Sequence, residues 1–211
     1  MIRVKVCGMC DPLNVKELSE AKPDFMGFIF YPESPRYVGE EPVMKLFNCA
    51  PPEIKRIGVF FNEDNHKILD LSIRNGLDMI QLHGNESPMS CSRLKSSGLT
   101  VIKAFNIGNY FSFEFLKQYI PACDFFLFDT KSDLPGGSGR KFNWRKLEEY
   151  SFGKPFFLSG GVGPEDTGAI KSIRNRGFYA VDINSRFETS PGIKNIGQVM
   201  TFINEIKNDQ L

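Results

Sequence analysis

Long apolar stretches are missing from this sequence. The longest, around Phe25–Tyr31 and Phe125–Phe128, fall far short of the roughly 20 residues that a membrane helix needs. The opening segment, MIRVKVCG, is a charged strand pattern and not an apolar leader. An excess of charge of either sign is also missing. A formal charge of +1 provides no field to draw nucleic acid or an anionic membrane, so neither is expected as a partner. Cysteine is sparse and odd in number, five in 211 residues, which excludes a disulfide-built scaffold and suits a reduced, cytoplasmic protein. Histidine is scarcer still, His66 and His83 alone. The single C-x-x-C, Cys7 to Cys10, has no second pair to complete a zinc site, and Cys49, Cys91 and Cys123 stand apart. Neither redox nor metal chemistry is expected, nor an obligate protein partner.

What is present is alternation. Runs rich in β-branched and aromatic residues fall at Ile2–Val6, Asp24–Tyr31, Arg56–Phe60, Met79–His83, Thr100–Phe105, Phe125–Asp129, Pro155–Ser159 and Phe178–Ile183. Helix-like stretches separate them at Pro12–Ala21, Pro42–Cys49, Asp64–Asn75, Ser87–Ser97, Ser112–Tyr119, Asn143–Tyr150, Pro164–Arg174 and Asn195–Lys207. Asp11-Pro12 and Gly163-Pro164-Glu165 are good helix starts, because proline suits the first turn. Eight strand–helix units predict an α/β fold: one (β/α)8 TIM barrel spanning residues 1–211. An open doubly wound sheet would use fewer strands.

Barrels of this kind gather their chemistry at the C-terminal ends of the strands. Cys7 lies there, with Arg3 and Lys5 on the same strand face and Ile2, Val4 and Val6 on the other. A free thiol, with a pKa of about 8.5, is only about 3% ionised at pH 7. An ammonium below Cys7 is expected to raise that fraction. Asp129 closes the apolar run FFLFD, surroundings that would favour a neutral carboxyl able to act as a general acid. His83 and Asp182 end two other strands.

Three loops complete the set. Gly160-Gly161-Val162-Gly163-Pro164 leads into a helix and offers backbone N–H groups to an anion. Asn184-Ser185-Arg186 follows the last strand, and barrels often bind phosphate between these two loops. Arg36, after the second strand, could grip a planar carboxylate with its fork of donors. The glycine-rich segment 134–141 lacks the spacing of a P-loop or dinucleotide fingerprint and reads as a lid over a ligand.

In order along the chain, the motifs KVCG, GFIF with SPRYV, QLHGNE, FLFD, GGSGRKFNW, LSGGVGPED and VDINS…PGIK resemble those of the phosphoribosylanthranilate isomerases of tryptophan biosynthesis. The resemblance implies an intramolecular oxidoreductase without a cofactor. Its substrate would be a small phosphosugar, N-(5'-phosphoribosyl)anthranilate, rearranged from aminoaldose to 1-(2-carboxyphenylamino)-1-deoxyribulose 5-phosphate. It implies Cys7 as general base at C2', Asp129 as general acid at the ring oxygen and Arg36 at the anthranilate carboxylate. It also implies that Gly160, Gly161, Asn184 and Ser185 hold the phosphate. His83 and Asp182 are further substrate-binding candidates. Arg186 departs from the small residues usual in the family at that loop. Two other readings remain at this stage: the sister isomerase of histidine biosynthesis, which resembles a two-aspartate design, and a phosphosugar-binding barrel without catalysis.

Overall fold

The computed structural model describes residues 1–39, 44–108, 110–130 and 141–208. Eight parallel strands close into a barrel: β1 (Arg3–Val6), β2 (Phe25–Ile29), β3 (Lys55–Phe60), β4 (Met79–Leu82), β5 (Thr100–Ile107), β6 (Phe125–Thr130), β7 (Phe156–Leu158) and β8 (Phe178–Ile183). β8 returns to pair with β1, and their register sets Lys5 directly beside Asp182.

The alternation of side chains sorts the apolar residues into two layers. Phe25, Ile57, Met79, Ile102, Leu127 and Phe157 fill the barrel interior. Val4, Val6, Met26, Phe28, Phe126 and Phe128 face outward and are buried beneath the surrounding helices. Period-two patterning therefore explains both layers, and the charged face of β1 does point inward. Lys5 is fully buried there.

The outer layer holds α1 (Pro12–Ser19), α2 (Met44–Phe47), α3 (Asn65–Asn75), α4 (Pro88–Ser96), α5 (Thr167–Lys171) and α6 (Ile196–Lys207). Their starts are set by side-chain caps. Asp11 accepts from Asn14 N, Asp64 from His66 N, Ser87 from Ser90 N and Asn195 from Gln198 N, each satisfying an orphan donor of the first turn. α3 stops at Gly76, whose φ of 58° is a left-handed cap that glycine adopts without strain.

Three helix expectations need correction. Ser112–Tyr119 and Asn143–Tyr150 form 3₁₀ helices over Phe113–Tyr119 and Trp144–Glu149. The first is rich in aromatics, which are poor helix formers. Its rings serve the core instead, with Tyr119 edge-on to Phe105 at 5.0 Å and Phe113 to Phe128 at 5.5 Å. Pro164–Arg174 divides into a 3₁₀ turn, Pro164–Asp166, followed by the five-residue α5. Among the described residues of the second expected helix, Met44–Phe47 is helical and 48–49 are not; 42–43 lie outside the described residues. After β8 the chain makes a 3₁₀ turn, Ser185–Phe187, and a hairpin of β9 (Glu188–Ser190) and β10 (Ile193–Lys194) that the strand pattern does not anticipate. Among the described residues no helix is long and apolar enough to cross a membrane.

Candidate active site

A cavity of about 570 Å³ opens at the C-terminal ends of the strands. Cys7, Arg36, His83, Asp129, Asp182 and Asn184 all line it, as do Gly160, Gly161 and Ser185. Every site residue anticipated from the sequence therefore faces one mouth, although the nine are spread over most of the chain.

Cys7 follows β1 and is 5% exposed. Gly27 on β2 leaves room for it, because a Cβ there would lie 2.8 Å from Cys7 Sγ and 3.1 Å from Lys5 Cε. Burial pushes the thiol above its usual pKa, while the Lys5 and Lys194 ammonium groups pull the other way. Lys5 therefore favours the thiolate as expected, but the net shift is upward, because of burial that the sequence pattern does not show. Desolvation penalises the anion by more than the cations return. Lys5 itself stays charged. Burial opposes its charge, but Asp182 and Cys7 outweigh that and raise its pKa. Its Nζ donates to Asp182 Oδ2 at 2.9 Å and to Gln81 Oε1 at 2.8 Å. Asp182 Oδ1 is buried with no hydrogen-bond partner among the described residues, and Asp182 lines the cavity, so this acceptor is available to a polar group placed there.

Asp129 stands opposite, on β6. Its Oδ1 accepts from Thr130 N at 2.7 Å. His83 Nε2 lies 3.3 Å from its Oδ2, and His83 Nδ1 is 2.8 Å from Gln81 Nε2. His83 thus meets the Asp129 carboxyl as well as the cavity. Gly160 sits close against this carboxyl. A Cβ there would be 2.7 Å from Asp129 Oδ1 and 2.3 Å from Thr130 Oγ1, and its φ of 91° is a glycine conformation.

The loops after β7 and β8 both line the cavity. Gly160 and Gly161 both have positive φ, 91° and 67°, which turns the backbone after β7 into a concave rim. The helix contribution expected there is small, because Pro164–Asp166 is only a 3₁₀ turn and Gly163 N is already taken by Asp166 Oδ2 at 2.7 Å. A dipole needs a longer run of aligned peptides. Arg186 pairs across the loops with Glu165 Oε1 at 2.9 Å and lines the cavity. Lys141 also holds this region, bonding Glu165 at 3.0 Å and Asp166 at 2.7 Å. Residues 134–140 of the expected lid lie outside the described residues.

Arg36 is buried, and its fork is already engaged. Nε and Nη2 donate to Glu188 at 2.8 and 2.6 Å. Lys194 Nζ joins the same carboxylate and also donates to Asn184 Oδ1 at 2.7 Å. Gly8, with φ of 78°, leaves space for this arrangement, since a Cβ would lie 2.5 Å from Arg36 Cδ and 2.8 Å from Asn184 Oδ1. Sequence reasoning missed Glu188, Lys194 and Gln81. Gln81 shares a strand face with His83 two residues on, so its place was legible. The turn Pro191-Gly192 signals the hairpin that carries the other two. None of the five cysteines is in a disulfide, and Cys10 is turned away toward Gly192 O, 3.7 Å from its sulfur.

This arrangement has close counterparts. Residues 4–205 match the family model described as N-(5'phosphoribosyl)anthranilate (PRA) isomerase. The N-(5'-phosphoribosyl)anthranilate isomerase of Phocaeicola vulgatus is 43% identical over 204 residues, covering 97% of each chain. That of Petrotoga mobilis is 38% identical over 210 residues, 99% of this chain and 98% of the other. Among solved structures, phosphoribosyl anthranilate isomerase from Thermotoga maritima superposes with a TM-score of 0.85 at 34% identity, over 98% of this chain and 99% of that one. Another, in complex with reduced 1-(o-carboxyphenylamino)-1-deoxyribulose 5-phosphate, gives 0.82 at 32% identity, with the same two coverages.

Proposed function

We propose that this chain, which belongs to the N-(5'-phosphoribosyl)anthranilate isomerase family, performs the family's Amadori rearrangement with Cys7 as general base and Asp129 as general acid. The family reaction converts an aminoaldose to a ketose and serves tryptophan biosynthesis. The observation that carries the assignment of roles is that the buried sulfur after β1 and the carboxyl on β6 border one cavity, which the Gly160–Gly161 turn and the Asn184–Ser185 loop also line.

In the first step Asp129 gives its proton to the furanose ring oxygen as the C1'–O bond breaks. The anthranilate nitrogen lone pair forms C1'=N and leaves an open-chain iminium. The Cys7 thiolate then removes the proton from C2', and the electron pair forms C1'=C2' while C1'=N reverts to an amine. The resulting enolamine loses its C2' hydroxyl proton and gains one at C1', giving the ketose. Each proton-transfer partner is worth about 10²–10⁴-fold in rate, roughly 3–5 kcal/mol of barrier.

The other assignments follow from charge and donor count. The backbone of Gly160 and Gly161, with Asn184 and Ser185, cradles the phosphate. Arg36, held by Glu188, directs its positive charge at the anthranilate carboxylate. Asp182 Oδ1 accepts from a ribose hydroxyl, and His83 borders the reacting end. A thiol base works only when reduced, which favours a cytoplasmic setting. The test is direct. Phosphoribosylanthranilate is fluorescent, and generated in situ it is consumed by the purified chain if the assignment is right and persists if it is wrong.

A further inference from the structure

We propose that Gln81, which the mechanism above does not use, is a positioning residue that fixes the proton of the neutral His83 ring on Nε2, so that His83 serves Asp129 as a donor. A chain of contacts links these residues, and each link has one possible sense. Asp182 on β8 anchors Lys5 on β1 at 2.9 Å. An ammonium has three donors and no acceptor, so the Gln81 atom it meets at 2.8 Å is the carbonyl oxygen. Gln81 is 1% exposed, and its amide therefore has no freedom to turn over without breaking that bond. Its NH2 group is left facing His83 Nδ1 at 2.8 Å. An amide nitrogen only donates, so Nδ1 accepts and carries no proton.

The ring proton then resides on Nε2, the atom 3.3 Å from Asp129 Oδ2. The opposite tautomer would set the ring N–H against the Gln81 NH2 group, two donors facing each other at 2.8 Å. Hydrogen-bond networks assign such tautomers, and this one extends from β8 through β1 and β4 to β6. The contact to Asp129 is longer than an ideal hydrogen bond, as is common before substrate tightens a site. When Asp129 has delivered its proton, the carboxylate it leaves meets an N–H. The tautomer stands on geometry alone; its catalytic consequence rests on Asp129 being the acid.

Two-bond ¹⁵N–¹H correlation spectra of the ¹⁵N-histidine-labelled chain test this. There are only two histidines, and the exposed His66 is assigned with His66→Gln. The wild-type His83 ring is expected to show a bare Nδ1 and a protonated Nε2. In Gln81→Glu the new carboxylate still accepts from Lys5 but now accepts from the ring as well, so Nδ1 becomes protonated. The kcat is expected to fall roughly 10- to 100-fold, by analogy with the loss of the group that orients a metal-bound histidine, with KM nearly unchanged. A wild-type ring protonated at Nδ1 overturns the proposal. So does a Gln81→Glu variant whose tautomer stays as in the wild type, whatever its activity. Gln81→Met, which has no polar atoms to impose either form, is expected to give a mixture; a ring fixed as in the wild type counts against the proposal. Failure of the acid assignment reads differently: Asp129→Ala remains active while the wild-type tautomer is as proposed.

Discussion

Gly27 on β2 supplies the space in which the Cys7 sulfur rests, and a Cβ at that glycine would approach Sγ to 2.8 Å and Cys7 Cα to 3.1 Å. Real side chains do not tolerate the first distance, while the backbone at Gly27 is held by its pairing with Ile57 on β3 and by Gly8 N and Met9 N donating to its carbonyl. Gly27→Ala is therefore expected to displace the thiol while leaving the barrel folded. Misplacement on the scale of 1 Å costs on the order of 100-fold in rate. Steady-state kinetics should show the loss mainly in kcat. An alanine variant of normal turnover would mean that the sulfur's location is not critical.

Arg36 and Glu188 form a two-point ion pair that is nearly closed to solvent. Lysine cannot reproduce the fork. Arg36→Lys is expected to raise KM about 10- to 100-fold, in line with about 1.5–3 kcal/mol for a hydrogen bond to a charged group, and to leave kcat closer to normal. A variant with unchanged KM would remove Arg36 from substrate recognition.

The pH dependence of kcat/KM should carry the signature of a buried base. That ratio reports the free enzyme, in which burial holds the Cys7 thiol above its ordinary value despite Lys5 and Lys194. The base is active when deprotonated, so the limb governed by Cys7 rises with pH. Its midpoint is expected above the ordinary thiol value of about 8.5. A Cys7-dependent limb centred below that value would contradict the burial argument.

Stability should fall in alkali for a related reason. Burial pushes the Cys91 thiol up to about 11 and the Cys123 thiol up to about 12, whereas an unfolded thiol ionises near about 8.5. Between those values the unfolded chain releases protons that the folded chain keeps, so the stability from these groups is full below about pH 8.5 and is lost as pH rises through 11 and 12. Urea unfolding midpoints at increasing pH should decline over that window. The decline should be shallower in Cys91→Ala and Cys123→Ala. A midpoint independent of pH would show that both thiols ionise normally.

The barrel was legible in the sequence because its strands read by period two. Val4 and Val6 face the helices while Lys5 faces the interior, and the strand pattern alone assigns those sides. The glycine loops and Asp129 were legible from their position after strands. What the sequence hid depended on partners brought from a distance. The sign of the Cys7 shift turns on how deeply the sulfur is buried, which no local pattern states. Glu188 reaches Arg36, and Lys194 reaches Glu188, only because a short hairpin folds back against α1, where Asn14 bonds Lys194. The 3₁₀ segments around Phe113 and Trp144 kept helical spacing in the sequence but not helical length in space.

The central claim is that a thiol and a carboxyl divide the two proton transfers of one rearrangement. Turnover of Cys7→Ala and Asp129→Ala on phosphoribosylanthranilate, beside wild type and with folding verified by circular dichroism, tests it most directly. Each variant is expected to lose about 10²–10⁴-fold in kcat with the fold intact. A folded variant of either kind that turns over at nearly the wild-type rate would contradict the account.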